Sequence, residues 1–136
     1  MCFVDFDNQL KRKKGAGWKL FAARDGGLYS TLCAPAVERL KERLPGVWLT
    51  AKPYEHESTN NKPYDTGWTI FKHKKDALRV ENRNQKENYG RESLVLRRVK
   101  FRGASLQGPV NWFSEFETPC IQADEILIME DKNDVQ

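Results

Sequence analysis

Four cations crowd the stretch between residues 94 and 102: Arg97, Arg98, Lys100 and Arg102. The stretch alternates like a strand, where every second side chain shares a face. Val95, Val99 and Phe101 fall on one face with Arg97, and Leu96, Arg98, Lys100 and Arg102 fall on the other. Neighbours on one face lie roughly 6.6–6.8 Å apart, so Arg98, Lys100 and Arg102 make a basic ladder. Like charges at that spacing repel unless anions lie opposite. Two readings follow. The ladder is a docking surface for nucleic acid, a nucleotide or an acidic protein surface. Alternatively it is a solvated face neutralised from a neighbouring strand, for which Glu115 and Glu117 are the candidates.

A second basic group, Lys11, Arg12, Lys13 and Lys14, runs into Gly15-Ala16-Gly17. Charge followed by glycine reads as an exposed connection. It can touch phosphates by counterion release, or serve only as a soluble loop. Aromatics are frequent in the first half of the chain: Trp18, Phe21, Tyr29, Trp48, Tyr54, Tyr64, Trp68 and Phe71. Aromatics interleaved with cations can stack bases. Trp18 and Trp68 lie on expected strands, where core packing is the default. Tyr54 and Tyr64 lie in a polar loop and are the candidates for contact. Cys2 follows Met1. If the methionine is trimmed, Cys2 joins a thiol to an α-amine of pKa about 7.7–8.0, a pairing able to act as a nucleophile. The other reading is an inert thiol. Asp5 with Asp7, and Glu55 with Glu57, form carboxylate pairs of a kind that chance produces often.

The remaining composition narrows the classes. A chain of 136 residues fits one domain, here spanning 1–136 with an N-terminal arm over 1–16 and an acidic tail over 131–136. Cys2, Cys33 and Cys120 are few, odd in number and far apart, which argues for a reducing compartment and against a disulfide scaffold. His56 and His73 have no zinc-type spacing around them, and no cofactor is expected. No apolar run is long enough to cross a bilayer, and no secretory leader opens the chain. The net charge of +4 hides an asymmetry: five acids against Lys132 give the last 13 residues −4, leaving +8 on the rest. A basic body of this kind suits a polyanionic or acidic partner, or solubility alone.

The elements that must position these residues can be read coarsely. Residues 18–23 and 28–33 read as a β-hairpin about the turn Asp25-Gly26-Gly27. Pro35 opens a helix, with Val37, Leu40 and Leu44 as its apolar stripe, ended by Pro45-Gly46. Residues 47–52 alternate as a strand, with Val47, Leu49 and Ala51 opposite Trp48 and Thr50. Residues 53–66 read as a long loop, often a functional feature. A strand over 67–72 and a short helix over 74–80 follow. Residues 81–92 are polar and predicted to be mobile. The strand over 93–102 is broken by Gly103 and Gly108-Pro109, with a weak strand at 112–116 and a last one at 125–129. The fold class expected is α+β: an antiparallel or mixed curved sheet with one or two short helices packed on it.

Several segments resemble small proteins encoded by phages and prophages, which open Met-Cys and carry Gly-aromatic strands. These are Met1-Cys2, Gly17-Trp18-Lys19-Leu20-Phe21, Asp25-Gly26-Gly27-Leu28-Tyr29-Ser30, Gly67-Trp68-Thr69-Ile70-Phe71, Asp76-Ala77, and the stretches 99–103 and 120–130. In that group the second Gly-aromatic segment usually reads Gly-Phe-His or Gly-Trp-His. Thr69 stands at the histidine position, so any chemistry of that histidine is missing here. The resemblance implies a phage accessory setting in the host cytoplasm, where small non-enzymatic proteins block defence systems. The leading expectation is therefore a counter-defence inhibitor that binds a host protein or nucleoprotein complex. A nucleotide or nucleic-acid binder, including a signalling-nucleotide sponge, is the second expectation. A small enzyme using Cys2 or the 53–66 loop is the third.

Cys2 supplies the first test. Cys2→Ala should fold and function like the parent. Loss of function in a folded protein, together with a covalent adduct on Cys2 in the parent by mass spectrometry, would establish a nucleophile.

Overall fold

The computed structural model describes residues 3–11, 13–24, 27–30, 40–41, 46–52, 55–87 and 93–129. In chain order its elements are β1 (Lys14–Arg24), β2 (Gly27–Ser30), β3 (Leu40–Lys41), β4 (Trp48–Thr50), β5 (Glu55–Glu57), β6 (Pro63–Asp65), β7 (Trp68–Phe71), α1 (Lys74–Glu87), β8 (Ser93–Trp112) and β9 (Phe116–Ile128). Every ladder among them is antiparallel. The class is α+β with the weight on the sheet, and α1 is the single helix among the described residues.

β8 and β9 form one long hairpin. The other edge of β8 takes β1 along residues 93–102. The other edge of β9 takes β7, from Trp68↔Ala123 to Phe71↔Cys120, and β7 meets β1 at Trp18↔Phe71. Four strands thus close into a ring, β1-β8-β9-β7. β2 and β3 extend from β1, and β4 pairs with β9.

Closure explains why β1 lacks a simple polar-apolar alternation. Its odd face carries Phe21 into a cluster with Trp68, Ile70, Val99, Phe101 and Ile126. Its even face carries Leu20 into a second cluster with Phe71, Ala77, Val80 and Trp112. Burial on both faces asks for apolar residues at consecutive positions. Lys19 is the exception at 2% exposure. Its Nζ donates to the Thr69 carbonyl at 2.9 Å and sits 5.8 Å from the Phe21 and Trp68 ring centroids. The amine reaches over the seam where main-chain pairing of β1 with β7 is down to one residue pair. A buried cation of this kind is tolerable only with polar partners.

Gly17 makes the seam sterically possible. A Cβ there would lie 2.5 Å from the Ile70 methyl and 2.7 Å from the Phe71 carbonyl oxygen. A second glycine bends the hairpin. Gly103 has φ of 67°, a conformation open to glycine and rare for other residues. The residues of β8 in the first cluster step there from odd to even, Val99 and Phe101 and then Ala104. The pairing with β9 shifts between Ala104 and Leu106. Such bulges turn strands at barrel corners.

Several expectations are corrected. Of the helix expected from Pro35, the described residues Leu40 and Lys41 are strand, paired with β2; the rest lies outside the described residues. The polar stretch after residue 80 continues α1 to Glu87. Asp76 in its first turn and Lys86 in its last suit the helix dipole. Gly103 and Gly108-Pro109 bend β8 without ending it. Pro109 faces Pro119 across the hairpin, and their carbonyls turn away from each other, to the amides of Val4 and Lys72. Neither missing N–H therefore costs a rung between β8 and β9. The expected strand at 112–116 is instead where the hairpin turns: Trp112 ends β8 and Phe116 opens β9, with Phe113 and Ser114 between them at φ of 57° and 59°, as a type I′ turn requires. The last strand begins at Phe116 rather than at 125.

The 53–66 loop contains the β5–β6 hairpin, and the N-terminal segment is docked against it. Phe3 bridges Val110 and Asp7 bridges Gln107, while the Phe3 and Val4 carbonyls accept from Thr59 and Asn60.

The seam generates a stability prediction. Gly17→Ala should lower stability by about 1–3 kcal/mol, the usual cost of overpacking, seen as a lower urea midpoint. Ala16→Ser, one residue away and exposed, should change it by less than about 0.5 kcal/mol.

Candidate functional site

The even face of β1 and β8 is covered at one end only. Leu20, Leu94 and Leu96 pack in the cluster that holds Ala77 and Val80 of α1. Past Lys74, the first residue of that helix, the same face continues uncovered. Cross-strand register lays it out in rows. One row is Lys14, Arg102, Glu125 and Thr50; the next is Ala16, Lys100, Leu127 and Trp48; the third pairs Trp18 with Arg98. Arg98, Lys100, Arg102, Lys14 and Ala16 are exposed, and Trp18, Trp48, Glu125 and Leu127 are half-buried.

The three cations of the ladder differ in their partners. Arg102 is clamped: Nε donates to Glu125 Oε1 at 2.9 Å and Nη2 to Oε2 at 3.1 Å. Its guanidinium carbon lies 4.0 Å from the Trp48 ring centroid. The hydrogen bond from Arg102 holds the Glu125 carboxyl below the usual range, and the same bond raises the Arg102 guanidinium. Neutralisation from a neighbouring strand was expected of Glu115 or Glu117. It comes from Glu125, while Glu115 binds Arg83 of α1 at 2.5 and 2.7 Å. Arg98 lies over Trp18, 5.0 Å from its centroid, and Lys74 lies 5.2 Å from the same ring. Neither Arg98 nor Lys100 has a carboxylate in ion-pair reach among the described residues. These two exposed cations therefore share the face with two half-buried indoles and have no carboxylate partner among the described residues.

The two basic segments of the sequence meet here. Lys14 stands opposite Arg102 across the β1–β8 ladder, and Lys11 and Lys13 are exposed on the approach to β1. Arg12, Tyr54 and Cys2 lie outside the described residues. Tyr64 is elsewhere. It is 8% exposed and packs edge-on against Phe3, Phe6 and His56, with centroids 5.8, 5.3 and 5.8 Å away. That ring anchors the N-terminal segment to the β5–β6 hairpin and has little surface for a partner. Thr69 is 3% exposed and lies on β7, paired with Gln122 of β9, away from the open face.

Trp48 and Trp18 were not singled out from sequence as contact residues. For Trp48 a signal existed: its alternation with Leu49 puts it on the face of exposed Thr50. For Trp18 none existed, because both faces of β1 are apolar at Leu20 and Phe21.

Two adjoining clefts lie along the N-terminal segment, about 490 and 530 Å³ in volume, sharing Asp7, Lys72 and Gln107 on their walls. Lys72 Nζ donates to Gln107 Oε1 at 2.5 Å. No histidine, cysteine or serine lines either cleft. Asp5, on the wall of the first, is held at about 2 by hydrogen bonds from Lys62, Asn60 and the Phe6 amide. A carboxylate of that pKa is a poor general acid or base near neutrality. Among the described residues no group of three His, Cys, Asp or Glu could hold a metal ion, and no helix is long and apolar enough to cross a membrane. No family model matches the chain, and neither a curated protein nor a solved structure matches it.

Asp5 makes the electrostatics testable. Its folded pKa is depressed from 3.8 to about 2. Its contribution to stability is therefore present above the ordinary aspartate range and lost as pH falls through about 2. Lys62→Ala removes the largest cause, so the Asp5 carboxyl should titrate closer to 3.8 in an NMR pH series. An unmoved midpoint would refute the Lys62 assignment.

Proposed function

We propose that this chain works by binding, docking the open face of β1, β8, β9 and β4 on the polyanionic surface of a host nucleoprotein complex. The setting we propose is that of a phage accessory protein, and the effect is inhibition of a host defence system. One observation carries the docking reading: Arg98 and Lys100 lie exposed, without a carboxylate partner among the described residues, on the same face as Trp18 and Trp48. Same-face cations repel, and an anionic partner would relieve that repulsion. Interfaces favour arginine and tryptophan, which combine large contact area with charge or hydrogen bonding. The phage setting rests on the sequence resemblance alone.

A second reading, binding of a nucleotide or nucleic acid without a protein, uses the same face. The clefts beside Lys72 support an enzyme less well, since the hydroxyl on their walls, that of Thr118, is taken up by the Trp112 indole N–H and the Cys120 thiol.

The test is capture from host lysate, with and without nuclease, read by mass spectrometry. The variant is Arg98→Glu with Lys100→Glu. It spares Arg102, whose pairing with Glu125 is structural. Exposed substitutions of this kind should change stability by no more than about 0.5 kcal/mol, while capture should be abolished. Undiminished capture by the folded double variant would sink the proposal.

A further inference from the structure

The partner of this face can be narrowed by what the two tryptophans present. Arg102 lies at 4.0 Å from the Trp48 centroid and Arg98 at 5.0 Å from that of Trp18. Each pair places a delocalised cation on an indole. Bases stack on guanidinium planes as well as on aromatic rings, so each pair offers both kinds of stacking partner together with a charge. Arg102 is fixed by its fork to Glu125, so its layer is pre-organised.

The spacing also fits a strand of nucleotides. Trp18 and Trp48 are separated by β8 and β9, hence by three inter-strand steps of about 4.8 Å, or roughly 14 Å across the sheet. They are offset along the strands by one row, roughly 6.7 Å. Lys100 lies in the row of Trp48 but on β8, the strand next to that of Trp18, and Lys14 stands opposite Arg102 in the following row. Lys100, unengaged among the described residues, stands where a phosphate between two stacked bases would pass. Leu127 of β9, half-buried, is the residue between Lys100 and Trp48 in that row. Duplex nucleic acid keeps its base faces stacked on each other, so it could use the cations but not the indoles. An acidic protein surface would likewise leave the flat layers unused.

We infer that the open face binds single-stranded nucleic acid, with bases stacked at Trp18–Arg98 and Trp48–Arg102 and the intervening backbone on Lys100 and Lys14. This rests on the docking reading above and names the chemistry of its partner. The stacking is expected to be sequence-tolerant, since every base has a stacking face.

The test uses the full chain with a mixed-sequence single-stranded 12-mer, as RNA and as DNA, the matching duplex, and a poly-glutamate peptide. Single strands should bind and quench tryptophan fluorescence. Trp48→Ala should weaken binding roughly 5- to 150-fold, the span reported for loss of one base–aromatic stack. Trp48→Phe, which keeps a ring, should recover most of the affinity, and circular dichroism should confirm that both variants are folded. Phosphate contacts from Lys14 and Lys100 predict a log–log salt slope of about −1.4, halved to about −0.7 in Lys100→Ala. Equal affinity for duplex and single strand, or quenching and affinity unchanged in Trp48→Ala, would overturn the inference. Preference for poly-glutamate, abolished by Arg98→Glu with Lys100→Glu, would overturn it while leaving the docking proposal standing. Full lysate capture by that folded double variant would remove the docking proposal as well.

Discussion

The seam between β1 and β7 is where the sheet becomes a ring. Main-chain pairing there is reduced to Trp18 with Phe71, and two residues beside it make up the difference. Gly17 permits the backbones to approach, since any side chain would strike Ile70 and the Phe71 carbonyl. Lys19 crosses the gap with its amine on the Thr69 carbonyl. Both clusters depend on this closure. Trp68 and Ile70 face Phe21 on one side of it, while Phe71 and Leu20 share the other. Further bonds brace the ring from outside the seam. Trp68 donates its indole N–H to the Leu49 carbonyl at 3.0 Å and so holds β4 in place. Gln122, 2% exposed, donates to the Asp65 carbonyl at 2.5 Å and ties β6 to β9.

The open face follows from how far α1 reaches. The helix packs over the stretch of β8 where even residues are Leu94 and Leu96, and it begins at Lys74 beside Trp18. The even residues beyond are Arg98, Lys100 and Arg102. One face of one strand is therefore apolar where it is covered and cationic where it is bare. The far end of α1 is pinned by Arg83, which forks onto Glu115 at the hairpin turn, and Arg79 lies 4.0 Å from the Phe116 centroid. These contacts seat the helix between the hairpin tip and the open face.

Neutralisation on that face is uneven, and this shapes what it can bind. Glu125 satisfies Arg102 and fixes it on Trp48. The equivalent position one row on is Leu127, which offers Lys100 no anion. Arg102, forked onto Glu125 and 4.0 Å from the Trp48 centroid, is ordered before any contact is made, and ordering completed before binding lowers the entropy lost on association.

From its residues alone the chain disclosed the strand over 93–102, its division into two faces, the start of α1 and the sheet-rich class. Each of these is local: period-2 alternation and the apolar positions Ala77 and Val80 depend on nearest neighbours along the chain. The extent of β8 through Gly103 and Pro109 was hidden, because both residues read as breakers until the bulge and the outward-turned carbonyls give them a place. Leu40 joined a strand despite its helical spacing, since pairing with Leu28 of β2 is a contact between segments. Tyr64 read as a contact residue because its loop is polar, and the rings that pack on it include Phe3 and Phe6, from the far N-terminal segment. The partner of Arg102 and the proximity of Lys14, Trp18 and Trp48 to the ladder were likewise decided by tertiary structure. Register between strands far apart in sequence sets them, and no alternation within one strand carries that information.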